Sequence, residues 1–370
     1  MADSIMTEKI GKLGFGYMRL PRKDGKHDLE HIKKMADAFI NGGGTYFDAA
    51  YVYEGAEVAL RESVVKRYPR ESFTIATKLP LGVVSKGVTL EDIFKTSLER
   101  LGTDYVDFYM LHGLDAKASI HAQELGAWDY LADLKAKGQI RHMGFSFHGQ
   151  PEDLDEILTK HPEVDFAQLQ INYFDWDRPK VNARRLHEIA CQHGVPVVVM
   201  EPLLGGKLAS TDSPIAALLR ETDPNASIAS WAFRFVAQLD MVFVTLSGMS
   251  SYEQVVDNVA TYSDIKPLSG DESAVIKEAV KVLNGIPRIA CTGCDYCKDC
   301  PSNIHISELI GLYNDYLVHK TVANLDGSYG WMTEDSGKAR DCTACGTCEK
   351  ACPQKLEIID TIKKVSKLFD

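Results

Sequence analysis

Cysteine is spread through this chain more unevenly than one folded body would need. Of nine cysteines in 370 residues, Cys191 alone precedes residue 290, and all the others fall between Cys291 and Cys352. A shift that abrupt marks a small module beside a larger body, with the expected boundary between residues 285 and 286. Residues 1–10 show no basic segment leading into an apolar stretch, the mark of a secretory signal. The expected compartment is therefore the reducing cytoplasm, where clustered cysteines read as metal ligands before disulfides. No apolar run approaches the roughly 18 residues of a membrane helix. Net charge is −11 with no Lys/Arg cluster, which argues against nucleic acid or an anionic membrane as partner.

The module holds two runs: Cys291-x2-Cys294-x2-Cys297-x2-Cys300-Pro301 and Cys342-x2-Cys345-x2-Cys348-x3-Cys352-Pro353. Three thiolates spaced this closely can wrap one cubane in a loop of backbone, and the proline then redirects the chain. The second run has the bacterial spacing for a [4Fe–4S] cluster; the first is one residue shorter between its last two cysteines. Both continue alike, as Pro301-x2-Ile304-x-Ile306 and Pro353-x2-Leu356-x-Ile358, which reads as an internal duplication. Zinc and disulfides are the alternatives, but zinc sites usually pair cysteines across a longer loop. Residues 306–320 read as a helix packing Ile306, Leu309, Ile310, Tyr313 and Leu317 inward. Cys191 reads as a small buried apolar residue.

The first 285 residues alternate apolar, β-rich segments with amphipathic ones. The expected strands are 12–16, 45–48, 73–78, 106–112, 142–146, 166–170, 196–200 and 242–247, several of them continuous apolar runs of the kind buried on both faces. Helical patterns lie between them, one capped by Asp28 and stopped by Gly42–Gly44, another over 89–101 ending at Gly102. Eight strands, most followed by a helix, predict an α/β fold, a (β/α)8 TIM barrel, with a doubly wound open sheet as the rival.

In such a barrel the chemistry gathers at the carboxyl ends of the strands. Those ends carry Asp48, Lys78, His112, Ser146 and Gln170, with Tyr53 five residues beyond Asp48. Each alone has a structural explanation as a loop or core residue; together they suit carbonyl reduction. Hydride reaching a carbonyl carbon leaves negative charge on the oxygen, which a proton donor must meet. A free phenol titrates near 10, and a neighbouring ammonium lowers that value. Lys78 can supply the ammonium, Asp48 can hold it, and His112 can position the carbonyl oxygen.

These residues resemble the aldo-keto reductase family. The matching segments are Gly44-Thr45-Tyr46-Phe47-Asp48-Ala49-Ala50 with Tyr53, Ala76-Thr77-Lys78, Ser97-Leu98-Glu99-Arg100-Leu101-Gly102-Thr103-Asp104-Tyr105-Val106-Asp107 running on to His112, Gly144-Phe145-Ser146, and Gln170-Ile171-Asn172-Tyr173. The resemblance implies a tetrad of Asp48, Tyr53, Lys78 and His112, with Tyr53 as acid/base. It implies a nicotinamide cofactor, NAD(P)H, whose carboxamide meets Ser146 and Gln170. The rest of that site would be Gly16, Tyr17 and Met18, Met200 where the family stacks a tyrosine, and Ser247, Gly248, Gln254 and Asn258. Phe147 stands where the family usually has Asn. Gly248 and Gln254 stand where members that clasp the 2′-phosphate of NADPH place Lys and Arg. Selective NADPH binding is therefore not expected, and NADH, a weakly held nicotinamide or another electron source stays open. Ser247, Ser250 and Ser251 can contact a ribose or phosphate, or cap a helix.

Two-cluster ferredoxins, which the module also resembles, ligate each cluster with the distant fourth cysteine. That implies one set of Cys291, Cys294, Cys297 and Cys352, and another of Cys342, Cys345, Cys348 and Cys300. The composite resembles the iron–sulfur group of aldo-keto reductases. Hydride carries two electrons and a cubane one, so coupling them normally needs a mediator such as a flavin, for which no motif is present. Three readings remain. The barrel reduces an aldehyde, ketone or sugar carbonyl while the clusters exchange electrons with a cofactor or a redox protein partner; the barrel is a reductase and the clusters are structural; or the chain is an electron carrier whose barrel is a binding scaffold. The oligomeric state is left open.

Overall fold

The computed structural model describes residues 2–84, 87–322 and 325–370. Eight parallel strands close into a barrel: β1 Leu13–Gly16, β2 Tyr46–Asp48, β3 Thr74–Leu79, β4 Val106–Leu114, β5 Ile140–Phe147, β6 Phe166–Gln170, β7 Val197–Met200 and β8 Val242–Ser247, with β1 pairing both β2 and β8. Closure removes the open-sheet rival. Every expected strand is present with its ends moved by at most two residues.

Side chains alternate across each strand. One set turns inward: Tyr46, Ala76, Phe108, Met110, Phe166, Val198, Val244 and Leu246 form the barrel's interior cluster, which Ile5 joins. The other set turns out to the helices, with Phe15, Phe47, Ile75, Tyr109, Phe145 and Val199 in the larger core. Because the inward set has period two, Asp48, Lys78, His112, Ser146 and Gln170 continue it to the carboxyl rim.

The helices start and stop where the sequence dictates. Helix α1, Leu29–Asn41, begins at Asp28, whose carboxylate accepts the His31 N–H. Helix α2, Leu90–Leu101, opens on a Thr89/Asp92 capping box and ends at Gly102, whose φ of 69° suits glycine. The segment after β2 is a short helix, Ala56–Leu60, followed by a wider five-residue turn over Arg61–Val65. Ser63 explains the break: its hydroxyl donates to the Ala59 carbonyl at 2.6 Å, a bond that loosens the helical ladder.

By internal contacts the chain divides into residues 1–202 with 232–268, and 203–231 with 269–370. The first unit holds the barrel strands. In the second, helix α3, Ile306–His319, and helix α4, Ile358–Phe369, bury Ile306, Leu309, Ile310, Tyr313, Ile358, Ile362 and Val365 around one small core. The cysteine runs pack against that core. Among the described residues, no helix is long and apolar enough to cross a membrane.

Candidate active site and cysteine cradles

Lys78, at 0% exposure, is the most confined charge in the barrel. Its Nζ donates to Asp48 Oδ1 at 2.6 Å and to the Ala49 carbonyl at 2.7 Å. It also lies 4.9 Å from the centroid of the Tyr53 ring. Burial pulls the lysine's pKa down, but Asp48 and Tyr53 outweigh it and hold Lys78 above its ordinary value. Lys78 is thus an ammonium at neutral pH. Burial raises Asp48, and Lys78 opposes that rise.

Tyr53 is half-buried on the loop after β2. Burial pushes its phenol above the ordinary value, while the charge of Lys78 works against that rise. In this state the neighbouring amine limits the phenol's pKa without bringing it below 10, a correction to the expectation of a net-acidified tyrosine. His112 meets Tyr53 edge-on, with ring centroids 5.8 Å apart. Burial first, and then Lys78, lower His112 to about 3, so its imidazole is neutral and can donate a hydrogen bond without carrying charge. Asp48, Tyr53, Lys78 and His112 therefore meet at one rim.

The other sequence-predicted residues divide in three. Ser146 and Gln170 end β5 and β6 on the inward set; Ser146 Oγ accepts the Gly113 N–H at 2.8 Å. Met200 ends β7, paired in register with Gln170 and accepting from Gln168 Nε2 at 3.6 Å. Gly16 pairs with Asp48 at the end of β1, and Met18 is exposed. Tyr17 is different: its ring is buried in the core and its hydroxyl donates to Ser63 Oγ at 3.0 Å, so only its backbone is open to a ligand.

The loop after β8 is internally satisfied. Ser251 caps the helix Tyr252–Ser263 by accepting the Gln254 N–H; Gln254 Oε1 accepts from Ser250 N at 2.8 Å; Asn258 Nδ2 donates to the buried Ser247 Oγ at 3.0 Å. Here the serines cap and brace. Gly248 is exposed, and a Cβ built on it would lie 3.8 Å from Arg19.

Sequence reasoning missed several polar groups at these strand ends. Arg19 Nη1 meets Glu201 Oε1 at 3.1 Å across 182 positions of chain. Asp175 gathers Gln170 and Asn172, with bonds of 3.0 and 3.1 Å to its Oδ2. None has a spacing signal, because each partner lies on another strand or on an irregular loop. Cys191 is half-buried, with Sγ 3.5 Å from His187 Nε2, so it is less enclosed than expected.

In the second unit the eight cysteines line two cavities. One touches Cys291, Cys294, Cys297 and Cys352; the other touches Cys300, Cys342, Cys345 and Cys348. The remaining lining is largely apolar, including Ile310, Leu356 and Ile358 in the first and Ile304, Ile306 and Ile362 in the second. All the cysteines are free thiols. Among the described residues no group of three or more His, Cys, Asp or Glu converges as a single-ion site. Four thiols around a partly open, largely apolar hollow are a donor set that fits a multi-iron cluster.

A closed (β/α)8 barrel with a lysine–aspartate pair, a tyrosine and a neutral histidine at its mouth defines a class of barrel oxidoreductase. The chain belongs to the Aldo/keto reductase family, whose model matches residues 12–281. A 4Fe-4S dicluster domain matches residues 290–357. An aldo-keto reductase of Mycolicibacterium vanbaalenii is 29% identical over 65% of this chain and 80% of its own length. Aldo-keto reductase str7 of Strobilurus tenacellus is 31% identical over 64% of this chain and 73% of its own. Among solved structures, the holo form of an aldo-keto reductase from Bacillus halodurans aligns with a TM-score of 0.57 at 25% identity, covering 73% of this chain and 92% of that one. An aldo-keto reductase from Klebsiella pneumoniae in complex with NADPH has the same fold, with a TM-score of 0.57 at 23% identity over 73% of this chain and 90% of its own.

Proposed function

We propose that this enzyme interconverts a small-molecule carbonyl and its alcohol at the barrel mouth, with Tyr53 as acid/base, and exchanges electrons through two [4Fe–4S] clusters. One observation carries the first half: a buried Lys78 ammonium, fixed by Asp48, faces a phenol beside a neutral imidazole. When bound, a reduced nicotinamide supplies hydride and a cubane supplies single electrons. The rest is the work of the chain. His112 donates a hydrogen bond to the carbonyl oxygen and orients it. Tyr53 gives its proton to that oxygen as charge develops there. Lys78 stabilises the phenolate left behind, and Asp48 keeps Lys78 charged. In oxidation of the alcohol the same proton returns to Tyr53.

The nicotinamide would lie between Ser146, Gln170 and Met200. No cationic side chain stands at 248 or 254, so NADH is the expected partner or NADPH is held without selectivity. Cys291, Cys294, Cys297 and Cys352 would hold one cluster; Cys342, Cys345, Cys348 and Cys300 would hold the other. The two cavities divide the cysteines in this way, which supports the crossed assignment. Substrates are aldehydes, ketones or sugar carbonyls, and a redox protein is the expected electron partner.

The test is Tyr53→Phe in anaerobically purified holoprotein, assayed with small aldehydes and ketones. Loss of a positioned acid/base lowers turnover about 100- to 10,000-fold, while cluster absorbance stays unchanged. Turnover that survives the change removes Tyr53 from its role. Dithionite should bleach the clusters of the same preparation, and zinc in place of iron would remove the electron-transfer half.

A further inference from the structure

Asp175 is 2% exposed and lies on the loop after β6, outside the tetrad. Its Oδ2 accepts from Gln170 Nε2 at 3.0 Å and Asn172 Nδ2 at 3.1 Å, and its Oδ1 accepts from Arg178 Nη1 at 3.3 Å. Its own N–H donates to Asn172 Oδ1 at 2.8 Å, and Asn172 Nδ2 also reaches the Glu201 carbonyl at 3.1 Å. This fastens the end of β6 to the residue after β7.

A carboxylate can only accept, so the Gln170 atom facing Asp175 must be the amide nitrogen. Gln170 Oε1 is thereby turned away from Asp175. On the neighbouring strand β5, Ser146 Oγ already accepts the Gly113 N–H, which leaves its proton to be given elsewhere. Gln170 then offers an oriented acceptor and Ser146 a hydroxyl donor, the complement of a primary amide, whose nitrogen donates and whose oxygen accepts.

We propose that Asp175 is a positioning residue: it locks Gln170 with its oxygen toward the ligand, and so makes the site select a nicotinamide carboxamide over a 3-acyl ring that has no N–H. The inference rests on the reading of Ser146 and Gln170 as the nicotinamide site. Without Asp175 the Gln170 amide is free to turn, and its nitrogen and oxygen become interchangeable toward the ligand. Substitution therefore weakens binding of the carboxamide ring and leaves the acetyl ring nearly unaffected.

The experiment is equilibrium binding to the oxidised holoprotein, comparing NAD⁺ with its 3-acetylpyridine analogue and running the NADP⁺ pair in parallel. The wild type should prefer the carboxamide about tenfold, the scale of one hydrogen bond. Asp175→Asn, whose amide can accept or donate, should bring the preference close to one by weakening the carboxamide form. Asp175→Ser is the second variant should the first fail to fold, with cluster absorbance reporting integrity. In a Gln170→Leu background, Asp175→Asn should have no further effect on the preference. A preference that survives in Asp175→Asn, or its absence in the wild type, overturns the inference and leaves the nicotinamide site standing. Binding of neither dinucleotide pair to the wild type overturns both.

Discussion

Lys78 sets the chemistry at the scale of single residues, because a buried ammonium holds its neighbours as much as they hold it. Among the described residues, the buried Asp48 Oδ2 has no hydrogen-bond partner, so Oδ1 and Lys78 carry the compensation for that charge. Lys78→Met therefore leaves a carboxylate stranded in the barrel. Stability should fall by about 3–5 kcal/mol, the usual cost of breaking a buried pair, and turnover should fall with it. Adding Asp48→Asn should recover part of the stability and none of the turnover; urea denaturation beside a carbonyl assay separates the two. His112 makes a second prediction. Its folded pKa is about 3 against an ordinary 6.5, so below pH 6.5 the unfolded chain takes up a proton that the folded one refuses. Stability falls as pH drops through that window and rises as it returns. His112→Gln should flatten the pH dependence of Tm between about 6.5 and about 3, the window set by those two values. Asp48, Lys78 and His112 were legible in the sequence because each ends a β-rich run, where a barrel gathers its chemistry. Arg19 with Glu201 was not, because only closure of the sheet brings such groups together, and Asp175 with Gln170 was not, because the irregular loop after β6 folds the carboxylate back onto the strand end.

Among the elements, the strands were legible because residues buried on both faces leave continuous apolar runs, and the helices because Asp28, Thr89 and Gly102 punctuate them. The turn over Arg61–Val65 was illegible: it depends on a side chain of this very segment, Ser63, competing with the backbone. Tyr17 belongs to the same story: expected in the cofactor site, it spends its hydroxyl on Ser63. Strand β5 carries a requirement that only packing reveals. A Cβ on Gly144 would fall 2.4 Å from the Phe166 carbonyl and 2.7 Å from the Phe166 ring, on the neighbouring strand. Backbone cannot yield to that contact, so Gly144→Ala must spread β5 from β6. The expected cost is about 1–3 kcal/mol, read as a lower barrel Tm. Ser146 lies two residues along the same strand, so nicotinamide binding should weaken as well. A variant with unchanged Tm and affinity would show that β5 tolerates the added carbon.

For the whole molecule, the division into two units has a thermodynamic consequence. The barrel unit closes its own sheet around an apolar interior. The cysteine-bearing part of the second unit is different: its core is the short cluster around Leu309, Tyr313 and Ile362, and Cys352 is buried within it, with Cys291, Cys297, Cys300, Cys342 and Cys348 packed alongside. Small cores of this kind depend on metal or other cross-links for stability, and a bound cluster contributes its binding free energy to folding. Oxidative removal of iron should then unfold helices Ile306–His319 and Ile358–Phe369 while the barrel persists. Differential scanning calorimetry should give two transitions in the holoprotein. After treatment with ferricyanide and chelator one transition should vanish and the other should keep its Tm, with a matching loss of helical circular dichroism. A single transition that shifts as one would mean that the clusters support the barrel as well. The barrel of the iron-free protein should still bind nicotinamide dinucleotide, because Ser146, Gln170 and Met200 all belong to the unit that remains folded.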